Sequence, residues 1–149
     1  MLIRSAQAGD LPAVKSLWNA MIRDTTATFT TIQKTDTDLA DLLAARPDAF
    51  LVADIGGTCA GFIMWGPFRA GPGYAHTAEH SVITARHARG TGRAQGIHVL
   101  IAGISAENEG AVAFHRRLGF AKSGQLPQVG RKNGRWIDLI LMSRDLDAP

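Results

Sequence analysis

The chain has few of the features that would place it outside the ordinary globular proteins. Only one of its 149 residues is cysteine, Cys59. No internal disulfide can form, and a reducing, cytoplasmic setting is expected. Cys59 sits in an apolar stretch and reads as a buried, inert thiol. No run approaches the roughly 20 apolar residues of a membrane span. The first residues, MLIRSAQAGD, contain no apolar signal core, so no export signal is expected. Repeats, low-complexity tracts and an interdomain linker are also missing, and residues 1–149 read as one domain. A hydrophobic share of 46% is enough for a real core.

Acids are absent from one stretch. Residues 85–95, ARHARGTGRAQ, hold Arg86, His87, Arg89 and Arg93 and no carboxylate. The overall charge of +3 is modest, so this local excess is what matters. It fits a loop that meets an anion such as a phosphate, or simply a solvated loop. Three arginines without interleaved aromatics do not make a nucleic-acid surface, and no such partner is expected.

The periodicity predicts a strand over 2–6. A helix capped by Asp10 follows, with Leu11, Val14, Leu17, Trp18 and Met21 on its core face. The Thr-rich stretch 24–31 reads as a loop. A short helix covers 37–46 and stops before Pro47. Strands over 49–55 and 58–66 flank a Gly56-Gly57 turn, and a third covers 76–84. The continuous apolar run 97–104 predicts a strand buried on both faces. A helix then runs from Asn108 to a closing Gly119, and two last strands flank Asn133-Gly134. The order predicts an α/β fold on a mixed sheet. Its front half is antiparallel, and a parallel step crosses the basic loop.

Four segments carry the chemistry. Arg89-Gly90-Thr91-Gly92 can turn successive backbone N–H groups toward one anion. Glu79 and His80 are each a possible general base, but neighbours on a strand face opposite ways, so they cannot share a pocket without a bulge. Asn108 reads as an N-cap that could also touch a ligand between two strand ends. The run Ala113-Phe114-His115-Arg116-Arg117-Leu118-Gly119-Phe120 reads as a helix packed on the sheet.

Taken in order, these segments resemble the GCN5-related N-acetyltransferase (GNAT) superfamily, and the resemblance covers essentially the whole chain. TTATF (25–29), WGPFR (65–69), HTAEHSV (76–82), NEGAVAFHRRLGF (108–120) and GQLPQVGRKNGRWIDL (124–139) are similar to its phosphinothricin and methionine sulfoximine acetyltransferase branch. The resemblance implies a GNAT fold: a mixed, mostly antiparallel twisted sheet with splayed parallel central strands, flanked by helices. It implies acetyl-CoA as co-substrate, no metal, a small amino-acid-like acceptor and a homodimer.

It also implies residue roles. Glu79 would be the general base. Backbone N–H groups near Val82 would hold the oxyanion. Val82, Ile83 and Thr84 would pair with the pantetheine arm, Arg89, Gly90, Thr91 and Gly92 would hold the pyrophosphate, and Asn108 would touch the cofactor arm. His115 stands where many members have the tyrosine that protonates the departing thiolate; helix packing is its other reading. Arg69 would pair with a substrate oxyanion, Phe29 and Phe68 would wall the pocket, and His80 and Ser81 would line it.

One departure stands out. The family has a whole helix between the RGxG turn and the next buried strand, whereas only Arg93, Ala94, Gln95 and Gly96 intervene here. Either the helix is lost and CoA binding is weakened, or residues of the natural chain are absent from this sequence. A non-catalytic binding module and a protein N-terminal acetyltransferase are the competing functions.

Overall fold

Alternating apolar residues and tight turns dictate most of the sheet. The computed structural model describes residues 1–83 and 96–147. The segment expected to bind pyrophosphate, Arg89 to Gly92, and also Thr84, lie outside the described residues. Strand β1 (Leu2–Ser5) precedes helices α1 (Leu11–Asp24) and α2 (Asp36–Ala45). Strands β2 (Phe50–Ile55) and β3 (Thr58–Pro67) meet at Gly56 and Gly57, both at positive φ, where a side chain would be strained. Then come β4 (Thr77–Ile83), β5 (Val99–Ser105), helix α3 (Glu109–Arg117), β6 (Ala121–Lys132) and β7 (Arg135–Asp145). No helix among the described residues is long and apolar enough to cross a membrane.

The seven strands form one sheet in the order β1-β2-β3-β4-β5-β7-β6. Every pairing is antiparallel except that of β4 with β5. This is the mixed sheet expected from the connection lengths, with its parallel step where the basic stretch lies. Helices α1 and α2 cover one face over Val14, Leu39, Phe50, Val52, Phe62 and Met64. Helix α3 covers the other face beside Ala102, Ile104, Phe120 and Met142.

Three local expectations are corrected. Asp10 precedes α1, but its side chain makes no cap bond to that helix. Instead it accepts two hydrogen bonds from the Arg4 guanidinium, at 2.8 and 2.9 Å, and one from the Gln7 N–H. A forked, charge-assisted pair outcompetes a single cap bond. Met21 does not join the core of α1. It is half-buried on the rim of a cleft, and Ile22 is buried instead. Strand β5 is not buried on both faces: Val99, Leu100 and Ile101 are half-buried and Gly103 is exposed. Only Ala102 and Ile104 of its apolar run are fully covered, packed with Phe120 and Met142 beneath α3.

Phe62 anchors the α1 face. It is fully buried, with its ring centroid 5.2 Å from that of Trp18 and 5.7 Å from that of Phe50. Replacing Phe62 with Ala removes both ring contacts and leaves a cavity. It should lower the unfolding free energy by about 3–5 kcal/mol, read from the urea midpoint at unchanged m-value.

Candidate active site

The parallel pair β4–β5 is short. Its register runs only Thr77–Val99, Ala78–Leu100 and Glu79–Ile101, although β4 continues to Ile83 and β5 to Ser105. Beyond Glu79 the strands part, while β4 stays bonded to β3 along its other edge. The Thr77 carbonyl accepts the Phe68 N–H, so odd-numbered residues of β4 direct their backbone groups to β3. Even-numbered ones address the other side, as the His76 carbonyl does when it accepts N–H groups of His98 and Val99. The backbone groups of Val82, beyond the last pair, therefore face the opening. A cavity of about 260 Å³ fills it, lined by His80 to Ile83 of β4 and Ala102 to Ile104 of β5.

The pleat separates Glu79 from His80, as the strand period requires. Glu79 is exposed and His80 is 7% exposed. The Glu79 carboxylate lies against Gly103 of β5; a Cβ there would stand 3.0 Å from Glu79 Oε1. A side chain at that position would crowd the carboxylate, so glycine leaves Glu79 free at the fork of the strands. The cleft on its other side reaches the start of α3. There the Asn108 side chain caps the helix, accepting the Ala111 N–H at 3.0 Å, and Asn108 and Ala111 line the wall.

His80 turns toward α3. Its Nε2 lies 3.0 Å from Nε2 of His115, and the rings of both pack against Phe120. His115 Nδ1 lies 2.8 Å from the Ala111 carbonyl, which only accepts, so that nitrogen carries a proton. In the neutral pair, His80 Nε2–H must then donate to His115 Nε2, leaving His80 Nδ1 a buried acceptor without a hydrogen bond. Burial, and next the charge of His115, push the His80 pKa down to about 4, against a smaller opposing pull from the Ile101 backbone. Burial also lowers that of His115. Both histidines line the cleft.

The expected substrate residues divide. Ser81, Val82 and Ile83 line the cleft. Phe29 is half-buried near it, between the lining residues Thr28 and Thr30, and its ring lies against Gly130 of β6, where a Cβ would overlap it. Phe68 and Arg69 are not brought into this cleft. Phe68 packs edge-on to Tyr74 and Arg69 lies over Phe68. Arg69 lines a separate cavity of about 510 Å³ with Arg46, Trp65 and Tyr74.

Two lysines escaped the sequence reading. Lys132 is 4% exposed and donates to the carbonyls of Ile22 and Thr28, tying the end of α1 to the loop that follows it. Nothing local marks it, since a lysine beside Asn133-Gly134 reads as solvated. Lys34 lines the cleft from the loop before α2.

Residues 3–141 match the model of the acetyltransferase (GNAT) domain. The chain belongs to the GNAT acetyltransferase family. It is 39% identical to the L-methionine sulfoximine/L-methionine sulfone acetyltransferase of Pseudomonas aeruginosa, over 97% of this chain and 94% of that protein. That match spans 165 positions against 149 residues here, so this GNAT chain lacks residues inside the matched span. The crystal structure of a ribosomal-protein-alanine N-acetyltransferase from Brucella melitensis superposes with a TM-score of 0.90 at 36% identity, over 97% of this chain and 99% of that one. An acetyltransferase from Salmonella typhimurium, solved with its cofactor acetyl-CoA, gives 0.88 at 30% identity, over 98% and 94%. Acetyl-CoA is the co-substrate, and the chain is an acetyl-CoA-dependent N-acetyltransferase of the GNAT type.

The histidine pair makes a prediction about pH. Both folded-state pKa values lie below the unfolded value of 6.5. Between that value and about 4, the unfolded chain takes up protons that folded His80 refuses. The stabilisation is therefore complete above pH 6.5 and is lost as the pH falls, by on the order of 3 kcal/mol for His80. Melting temperatures recorded from pH 7 to 4.5 should decline, and His80→Gln should flatten that decline.

Proposed function

We propose that the chain acetylates the α-amine of a small amino-acid-like substrate of the methionine sulfoximine or phosphinothricin type. The observation that supports this most is the parted β4–β5 pair, with the Val82 backbone turned to the opening rather than to another strand among the described residues, and a carboxylate at the fork. The residues present suit an acetyl-CoA arm. The backbone of Val82 could bond it as a strand would, and the Val82 N–H would hold the thioester oxygen as it becomes negative. When bound, acetyl-CoA supplies an acetyl group already activated as a thioester.

Glu79 takes the proton of the substrate ammonium, through water, and so exposes the nitrogen lone pair. The amine then attacks the carbonyl carbon. A C–N bond forms, the C–S bond breaks, and the electron pair leaves with sulfur. His115 is the group assigned to the thiolate. In the neutral pair its Nδ1–H is held by Ala111 and its Nε2 accepts from His80. His115 therefore borders the departing sulfur without a proton of its own to give, and the thiolate is balanced by the second proton that the nitrogen sheds to solvent as it becomes an amide.

The Brucella relative's name favours a second reading, acetylation of a protein's N-terminal alanine. Thiol release from acetyl-CoA, followed with L-methionine sulfone and with an alanine-initiated peptide, separates the two: the free amino acid should be the better acceptor by kcat/KM. Calorimetric titration of acetyl-CoA should give a micromolar Kd, and no binding would leave the chain a non-catalytic module. Glu79→Gln should cut kcat by about 10²–10³ with little change in acetyl-CoA affinity. Unchanged turnover at neutral pH removes Glu79 from the mechanism.

A further inference from the structure

An amino-acid substrate brings a negative group into the cleft together with its amine, and something must answer that charge. Lys34 is the one lysine or arginine among the described residues lining the cleft. It stands on the α1 side with Trp18, Met21, Thr28 and Thr30, opposite the wall formed by His80 and His115.

Its position is fixed from behind. Asn19 of α1, 9% exposed, accepts the Lys34 N–H at 2.7 Å and donates to the Lys34 carbonyl at 3.0 Å. A buried amide side chain is thus spent wholly on the backbone of one loop lysine. The ammonium itself lies 5.1 Å from the centre of the Trp18 ring, an attraction that holds the head group, and its charge also acts on the exposed Asp38 carboxylate in the first turn of α2. Among the described residues, the other cations nearby are committed elsewhere. The Lys132 ammonium sits on two carbonyls. Arg46 lies over Gly66 and, with Arg69, lines the separate cavity.

We propose that Lys34 is the anion-binding residue of the acceptor pocket and makes the enzyme select amines that carry a carboxylate over neutral amines. The proposal rests on the transfer reading of the cleft and adds the residue that sets acceptor specificity. An ammonium is a compact charge without the guanidinium fork, so it accepts a carboxylate in several orientations and tolerates a range of side chains on the substrate.

The test compares L-methionine sulfone with its α-carboxamide as acceptors, using the wild type, Lys34→Met, Lys34→Arg and Arg69→Met. Wild type should favour the carboxylate. Lys34→Met should raise KM for L-methionine sulfone about ten- to hundredfold, the range of a charged hydrogen bond. The carboxamide and acetyl-CoA values should stay put, so that the preference collapses, and Lys34→Arg should restore part of it. Matched melting temperatures show that each variant is folded. Equal losses on both acceptors, or a preference that collapses in Arg69→Met and survives in Lys34→Met, would overturn the proposal for Lys34 alone. A wild type that binds acetyl-CoA yet acetylates neither amine would overturn the transfer reading and this proposal with it.

Discussion

Two parallel strands that pair for three residues and then separate shape everything that follows in this molecule. A strand interior normally satisfies its backbone groups on both edges, because an unpaired buried amide is costly. Here β4 keeps β3 on one edge and gives up β5 on the other after Glu79. The fold tolerates this because the freed edge opens on a cleft where water or a ligand can take the bonds. Glu79 stands at the point of separation, and Gly103 opposite it leaves the carboxylate room.

The two walls of the cleft are built on different principles. On the α3 side, His80 and His115 hold each other and the Ala111 carbonyl in a buried, neutral pair. That environment costs proton affinity, which ties the stability of the site to pH. On the α1 side the wall is Trp18 and Met21 of the helix together with the loop that follows it. That loop is held by single polar anchors: Asn19 on the Lys34 backbone, and Lys132 reaching from β6 to Ile22 and Thr28. A rigid chemical wall facing a tethered loop suits an enzyme whose reaction is constant and whose acceptor varies.

Length remains the distinctive feature of this member of the family. Its match to the Pseudomonas acetyltransferase runs over more positions than the chain has residues. The family resemblance puts the missing stretch after Gly92, where a helix N-terminus and its dipole would meet a pyrophosphate.

Local patterning alone placed the elements: glycines at 56, 57, 119 and 134 punctuate the chain at positive φ, and Asn108 caps its helix as expected. It also put Glu79 and His80 on opposite faces, since strand period needs no tertiary information. The order of motifs gave the family. What it left open was which side chains meet. The His80–His115 contact joins residues 35 apart, and Lys132 reaches one carbonyl of α1 and one of the loop after it, more than a hundred residues away. Arg69 and Lys34 could not be ranked as the cleft's cation from composition, because both sit in polar loops. Only the packing of those loops against α1 and β3 decided that one lines the cleft and the other a separate cavity. Periodicity records which way a residue faces on its own element; the distance between elements is set by the core that brings them together.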